Sequence, residues 1–277
     1  MQEEEYILSR AFLSADAEPV RSICFLDSPC VKKSTADSMD VDADEEKSNS
    51  EVLLMGSQAG LITQCTYNPS KSSTNVDNES MESFQSGHSH AITSLLPVDN
   101  RSIFVSGCKD SIVRVFDMNS PEYPQPCSTL TGHDNAVTSL SLVTLVSASS
   151  GAASRTFLLS GSWDGTAKLW DIAKATCLTT MPGHENTVCV QGLIPSSCSI
   201  TKPTSSSNDS CFYGSFATGS AGVAYGNTIA DMKIRLWDIV AETKNSSIQV
   251  TATLRATVAD HLGPIRGVCC ALSTFAK

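Results

Sequence analysis

Short apolar segments alternate with polar turn residues along most of the chain. Three units share one pattern, in VSGCKDSIVRVFD, LSGSWDGTAKLWD and ATGSAGVAYGNTIADMKIRLWD. In each unit an apolar strand ends at Ser-Gly or Thr-Gly, an aspartate follows in a turn, and a second strand ends in an aromatic-Asp pair. Short strands separated by turn residues indicate an all-β protein. The predicted inner strands are 105–107, 158–161 and 216–219, and the strands that follow them are 113–116, 167–170 and 234–237.

A Gly-His pair precedes each of these three units. The pairs are Gly87-His88, Gly132-His133 and Gly183-His184, and Asp260-His261 is a variant copy. The order Gly-His, strand, Ser-Gly, Asp turn and Trp-Asp resembles the signature of WD repeats, in which four strands make one propeller blade. Insertions at 149–154, 196–210 and 222–230 account for the long spacing between some copies.

The repeats predict an all-β WD-repeat β-propeller that is incomplete, with about four blades plus the start of a fifth, of seven. The predicted blades are about 14–67 with an acidic insert at 34–50, 84–127, 128–178, 179–254, and the start of a fifth at 255–277. Closed propellers have roughly four to eight blades. Because both end strands would lack a partner blade, we expect a fragment or a truncated product that self-associates.

A buried hydrogen-bond chain explains the polar residues of the pattern. WD-repeat geometry links the turn aspartate to the histidine, the histidine to the serine hydroxyl, and that hydroxyl to the tryptophan N–H. Each unpaired buried group would cost roughly 1–3 kcal/mol, so the set should be complete. In blade 2, Phe116 replaces the tryptophan, and blade 1 has lost the set. The predicted network residues are His88, Ser106 and Asp110; His133, Ser160, Asp164 and Trp170; and His184, Thr218, Asp231 and Trp237.

Composition and charge limit the classes of partner and site that we expect for this chain. The chain has 277 residues, a formal net charge of −10 and 11 cysteines. An acidic chain lacks the Lys/Arg surface that nucleic acid needs, and no apolar stretch approaches the ~18 residues of a membrane span. The cysteines lack a CxxC spacing and are interpreted as buried thiols. We expect no nucleic-acid or membrane partner, no metal, no cofactor and no catalytic residue, and a cytoplasmic protein that also enters the nucleus.

Polar insertions carry much of the charge. Residues 37–51 hold seven carboxylates against one lysine. This segment and two Ser-rich stretches have no apolar periodicity, so they should be solvated. We expect mobile loops at 34–50, 70–83 and 198–210.

A narrower resemblance lies in residues 85–272. The runs LLSGSWDGTAKLWD, CLTTMPGHENTVCVQGLIP and FDMNSPEYPQPCSTLTGH are similar to the propeller of the phospholipase A-2-activating protein and ubiquitin-recycling adaptor family. The resemblance implies a seven-bladed propeller that binds ubiquitin in ubiquitin-dependent protein degradation. In that family an AAA ATPase is held by other domains, which are absent from this sequence. The alternative is a generic WD-repeat scaffold of another intracellular protein complex.

The narrow top face of such a propeller collects the Gly-His loops and the turns with aspartate. Three positions per blade point there: the third and fifth residues after the histidine, and the residue before the turn aspartate. The set is mostly small and neutral, with three cations and one large aromatic residue. The residues predicted to contact a partner are Trp163, Lys109, Arg21, Arg266, Thr93, Thr138 and Thr187.

Overall fold

The computed structural model describes residues 19–27, 51–67, 80–98, 102–147, 154–185, 188–193, 211–220, 232–244, 247–259, 265 and 267–268. In these ranges the chain forms sixteen strands and no helix, which confirms the prediction of an all-β, incomplete propeller. Among the same residues, no helix with the length and apolarity of a membrane span was found.

The first two sheets are simple four-stranded meanders whose neighbouring strands are antiparallel. The first has the order β1-β2-β3-β4 and the second the order β5-β6-β7-β8. Tight turns at 58–60 in the first sheet and at 109–112 in the second each join two consecutive antiparallel strands, whereas residues 28–50 separate the first two strands of the first sheet. The strands are β1 (Val20–Asp27), β2 (Glu51–Ser57), β3 (Leu61–Tyr67), β4 (Ser80–Gln85), β5 (Ile92–Pro97), β6 (Ile103–Cys108), β7 (Val113–Asp117) and β8 (Ser128–Leu130).

The third and fourth blades are joined in one eight-stranded sheet. Its order is β12-β11-β10-β9-β14-β15-β16, with β13 paired to β14. The join is a short antiparallel ladder in which Phe212 faces Ser147 and Tyr213 faces Val146. The strands are β9 (Val137–Ser147), β10 (Ser154–Ser162), β11 (Ala167–Asp171), β12 (Thr176–Met181), β13 (Val188–Leu193), β14 (Cys211–Ser220), β15 (Ile234–Lys244) and β16 (Ser247–Val258).

Three apolar clusters hold consecutive blades together. Alternate residues of a strand point to opposite faces of its sheet, so adjacent residues reach different neighbours. Phe104 packs with Leu54 of blade 1, whereas Val105 packs with Val137 of blade 3. A third cluster joins blades 3 and 4 and includes Leu159 and Phe216. The core therefore lies between the sheets, as it does in a propeller.

Serine hydroxyls cover amides on the innermost strands. Ser22 of β1 accepts a hydrogen bond from the Leu95 amide of β5 at 2.7 Å. Ser139 and Ser141 of β9 accept from the Val190 and Gly192 amides of β13 at 3.0 and 2.9 Å. These bonds satisfy backbone donors that a strand edge would otherwise leave unpaired.

The structure corrects one of the predicted loops, whereas the other predicted loops and the blade boundaries stay predictions. Ser80–Gln85 forms the fourth strand of the first sheet, so the loop predicted at 70–83 was wrong for 80–83, where pairing with Leu61–Thr66 overrides the polar composition. Most of 70–83, and the loops predicted at 34–50 and 198–210, lie outside the described residues. The blade boundaries stay a prediction, although the fourth strand of the second sheet, Ser128–Leu130, comes from residues assigned to blade 3.

Candidate functional site

A continuous hydrogen-bond chain crosses the third blade. The Trp170 indole Nε1 donates to Ser160 Oγ at 2.8 Å, and Ser160 Oγ lies 2.7 Å from His133 Nε2. The His133 Nδ1 lies 2.8 Å from Asp164 Oδ2. A neutral histidine fits this geometry, because its Nδ1–H donates to the carboxylate while its Nε2 accepts from serine. The four residues predicted for this blade are thus in contact.

The fourth blade has the same arrangement with threonine in place of serine. The Trp237 Nε1 donates to Thr218 Oγ1 at 3.0 Å, and Thr218 Oγ1 lies 2.7 Å from His184 Nε2. Asp231, predicted as the turn member, lies outside the described residues. The Arg235 guanidinium contacts His184 Nδ1.

The second blade replaces the tryptophan end of the chain with aromatic packing. His88 bonds to Ser106 at 2.7 Å and to Asp110 at 2.9 Å, as predicted. Phe116 is fully buried and stacks on Phe104, with ring centroids 4.8 Å apart. The structure therefore compensates for the lost indole donor with apolar contact rather than with another hydrogen bond.

A basic residue that the sequence reasoning missed reaches the network in blade 2. Arg114 donates to Asp110 Oδ2 at 3.0 Å and contacts His88 Nδ1. A usable signal was present, because Arg114, Lys168 and Arg235 occupy the same place in RVF, KLW and RLW. This position carries a cation in each of the three units.

Burial controls the protonation of the network. Desolvation lowers the pKa of both His88 and His133, and this effect outweighs the hydrogen bonds to Asp110 and Asp164. Burial alone would raise the pKa of Asp110, but hydrogen bonds from His88 and from the Ile112 amide hold that pKa below its usual value. Hydrogen bonds from Thr166 and His133 likewise hold the pKa of Asp164 below its usual value, although burial alone would raise it. The native network therefore contains neutral histidines and ionised aspartates.

This protonation pattern predicts a pH dependence of stability. His88 and His133 bind protons less readily when folded, so the unfolded chain takes up more protons as the pH falls through ~6.5. The free energy of unfolding should therefore decrease as the pH is lowered from about 7 to about 5, by up to ~1.4 kcal/mol per pH unit for each histidine. Urea titrations at several pH values measure this slope. His133→Asn removes one of the two groups and should flatten the slope; an unchanged slope would contradict the assignment.

One group in the described residues has the composition of a metal site. The ligand atoms of His88, Cys108 and Asp110 lie within 4.8 Å of one another. The Cys108 thiol donates to the His90 carbonyl at 3.0 Å, as Ser162 Oγ donates to Asn135 O in blade 3. Burial raises the pKa of Cys108 to about 12, whereas metal ligation needs a thiolate. These contacts and the nearby Arg114 favour a structural role over metal binding.

A repeated backbone hydrogen bond brings the predicted top-face residues together. The amide of the residue before the turn aspartate donates to the carbonyl of the residue three after the histidine. This bond joins Lys109 to Ala91 at 3.0 Å and Trp163 to Ala136 at 2.9 Å. Blade 1 has the equivalent bond from Gln58 to Pro19 at 3.1 Å. The two loops of each blade therefore meet on the same face.

The top-face residues of three blades line one depression of about 260 Å³, called here the top pocket. Trp163 lies there with 47% of its surface exposed, and Lys109 Nζ lies 5.7 Å from the centre of its ring. Arg21 Nε donates to Gln58 Oε1 at 2.6 Å. The remaining lining residues are Ala91, Thr93, Ala136 and Thr138. Thr187 and Arg266, also predicted to contact a partner, lie outside the described residues.

Two of the predicted contact residues have a structural task in addition. Thr93 Oγ1 approaches the Gly107 carbonyl at 3.0 Å and the Val137 carbonyl of the next blade at 2.6 Å. Thr138 does the same with Gly161 at 3.0 Å and Val188 at 2.5 Å. Because each hydroxyl has one hydrogen, neither is a free donor to a partner. Both threonines therefore also link neighbouring blades, and their contact with a partner stays a prediction.

The comparison with protein families agrees with this geometry. Residues 79–117 and 124–171 match the WD40 family, described as "WD domain, G-beta repeat". The matches cover blades 2 and 3, which contain the hydrogen-bond networks around His88 and His133. No enzyme family is indicated.

Several known proteins resemble parts of the chain. It is 36% identical over 115 residues to the phospholipase A-2-activating protein of Xenopus laevis, covering 40% of this chain and 12% of that one. It is 32% identical over 99 residues to the small ribosomal subunit protein RACK1z of Oryza sativa subsp. japonica (31% and 27%), and 30% identical over 104 residues to coatomer subunit beta'-2 of Arabidopsis thaliana (37% and 10%). The chain thus matches about a quarter or less of each relative.

Proposed function

We propose that this chain, in which two segments match the WD40 family, acts as a non-catalytic adaptor whose top pocket binds ubiquitin or ubiquitinated proteins. WD repeats serve as scaffolds for protein interactions, and the top pocket is where three blades of this chain present side chains together. Its task would be in ubiquitin-dependent protein degradation or ubiquitin recycling, in the cytoplasm and nucleus.

The exposed Trp163 carries the proposal. A large aromatic ring surrounded by small residues is the usual construction of a binding hot spot, because the surroundings exclude water when a partner covers the ring. Here the neighbours Ala91 and Ala136 are small, and Lys109 lies over the ring. Arg21 and Lys109 add positive charge at the same place, which would orient a partner through its carboxylates or carbonyl groups.

The choice of ubiquitin rests on sequence similarity to one family. The segments similar to that family's propeller include Trp163 itself, and the Xenopus phospholipase A-2-activating protein is 36% identical over its matched part. The AAA ATPase of that family binds other domains, so we assign it no residue of this chain. The matches to RACK1z and coatomer subunit beta'-2 support the second candidate, a WD-repeat scaffold of a different complex.

Titration with ubiquitin tests the proposal. We expect the whole chain to bind ubiquitin in calorimetry or NMR, and Trp163→Ala to weaken binding at least tenfold, which is ~1.4 kcal/mol. The melting temperature should stay within a few degrees, because nearly half of the side chain is exposed.

Phe25→Ala is the matched control, because Phe25 is an aromatic residue of β1 with 55% of its surface exposed that is not among the residues lining the top pocket. This variant should bind like the wild type. No binding by the wild type would reject ubiquitin and leave the generic scaffold. If Trp163→Ala bound ubiquitin as tightly as the wild type does, the top pocket would not be the ubiquitin-binding site.

A further inference from the structure

The outer strand of blade 4 is much longer than the other outer strands. β16 has 12 residues, whereas β4, β8 and β12 have 6, 3 and 6. It pairs with β15 from Ser247 to Val258 and ends the order of the eight-stranded sheet. Propellers ordinarily leave only short edges, because a long edge presents a row of backbone donors and acceptors to any other strand.

The composition of β16 favours pairing with another strand. It contains neither proline nor glycine, and half of its residues are β-branched, the type that strands prefer. Its single charged residue is Arg255, whose guanidinium lies 3.3 Å from Asp238 of β15 in the same chain. Natural edge strands are usually protected by charges, proline or a bulge that turns the edge away. β16 has a register shift opposite Leu236 and Trp237, but its pairing continues on both sides of it.

One part of the strand also exposes apolar side chains. Ile248, Val250 and Ala252 pack against the core between blades 3 and 4. Leu254, just before the register shift, and Val258, beyond it, are exposed at 45% and 38%. These side chains would lose water contact if a further strand extended the sheet.

We infer that β16 pairs in antiparallel fashion with β16 of a second copy of this chain, joining two propellers edge to edge through a two-fold axis. A closed dimer is the usual result when one surface patch meets itself. The charge distribution favours β16 as the contact between two copies, because the chain carries a net charge of −10 but β16 contains no carboxylate. In a pairing centred near Thr253, Arg255 opposes a neutral residue, so like charges do not meet.

A second copy fits this edge better than a foreign peptide does. The edge offers backbone groups and side chains that are neutral apart from Arg255, and Ile248 is its one residue among those lining a described pocket, so little on it would select a particular foreign sequence. An identical strand has the matching length and composition and is present at the same concentration. This pairing is separate from the top pocket and does not depend on ubiquitin.

Sedimentation equilibrium of the whole chain tests the inference. We expect a monomer–dimer equilibrium for the wild type. The double variant Thr251→Lys with Thr253→Lys should weaken dimerisation at least tenfold, because it places lysines of the two copies side by side. Both threonines are exposed, so the melting temperature should change little. Thr129→Lys, on the exposed side of the short outer strand β8, is the matched control and should dimerise like the wild type.

Hydrogen exchange gives a second measurement that needs no variant. The β16 amides of the wild type should become slower to exchange as the protein concentration rises, and the β8 amides should not. A wild type that stays monomeric up to millimolar concentration would overturn the inference. A dimer that the double variant leaves intact, larger oligomers, or β16 exchange that is independent of concentration would do the same.

Discussion

Gly192→Ala should destabilise the protein by about 3 kcal/mol, at the upper end of the cost of overpacking. A Cβ at this position would lie 1.8 Å from the Leu142 carbonyl oxygen and 2.8 Å from its carbon. Both are backbone atoms of β9, which cannot move aside like the end of a flexible side chain. The amide of Gly192 also donates to Ser141 at 2.9 Å, so the two strands are held at this close distance. Urea titration followed by tryptophan fluorescence measures the loss.

Gly267→Ala is the matched control for this substitution. No atom of the described residues lies within 4 Å of the position that its Cβ would take, so the free energy of unfolding should stay within a few tenths of a kcal/mol. If Gly192→Ala were as stable as Gly267→Ala, the close approach of β13 to β9 would be wrong.

Ser160→Ala should cost about 2–4 kcal/mol, because it leaves two buried groups without a partner. Ser160 Oγ is the acceptor for the Trp170 indole and also bonds to His133, and both side chains are almost fully buried. Each lost partner leaves a polar group that can no longer reach water. Thermal and urea unfolding give the free energy of unfolding.

Ser106→Ala provides the comparison within the same chain. Ser106 bonds to His88 at 2.7 Å, but blade 2 has Phe116 where blade 3 has Trp170, so no indole donor is left unpaired. The cost should be smaller than that of Ser160→Ala by about 1 kcal/mol or more. Equal costs for the two variants would mean that the indole contributes nothing to the network.

The repeat pattern was sufficient to predict the strands that carry the network. The phrases around Ser106, Ser160 and Thr218 gave the second strand of each blade, and the aromatic-Asp pairs gave the third. Their side chains have few alternatives, because a buried histidine, hydroxyl and indole must satisfy one another. The same reasoning located Trp163 and Lys109 on one surface, since a fixed offset from the turn aspartate places both beside a Gly-His loop.

Contacts between blades were harder to predict from the sequence. Thr93 and Thr138 looked like surface residues, because their offset from the histidine indicates the top face but not the carbonyl of the next blade. Ser80–Gln85 looked like part of a polar loop, because an outer strand needs few apolar residues when its backbone is paired. The sequence predicts an outer strand of blade 4 at 248–254, but β16 continues to Val258, since no residue in it interrupts or marks the end of a strand.

The short ladder between β9 and β14 makes the coupling between repeats uneven along the chain. In a repeat array, stability is approximately a sum of terms for single repeats and terms for the interfaces between neighbours. Blade 2 meets blades 1 and 3 through side chains and isolated hydrogen bonds, whereas blades 3 and 4 also share a short backbone ladder of two residue pairs. We therefore expect blades 3 and 4 to be the most strongly coupled pair of described repeats, so that an exchange or duplication of repeats is best tolerated when the two move together.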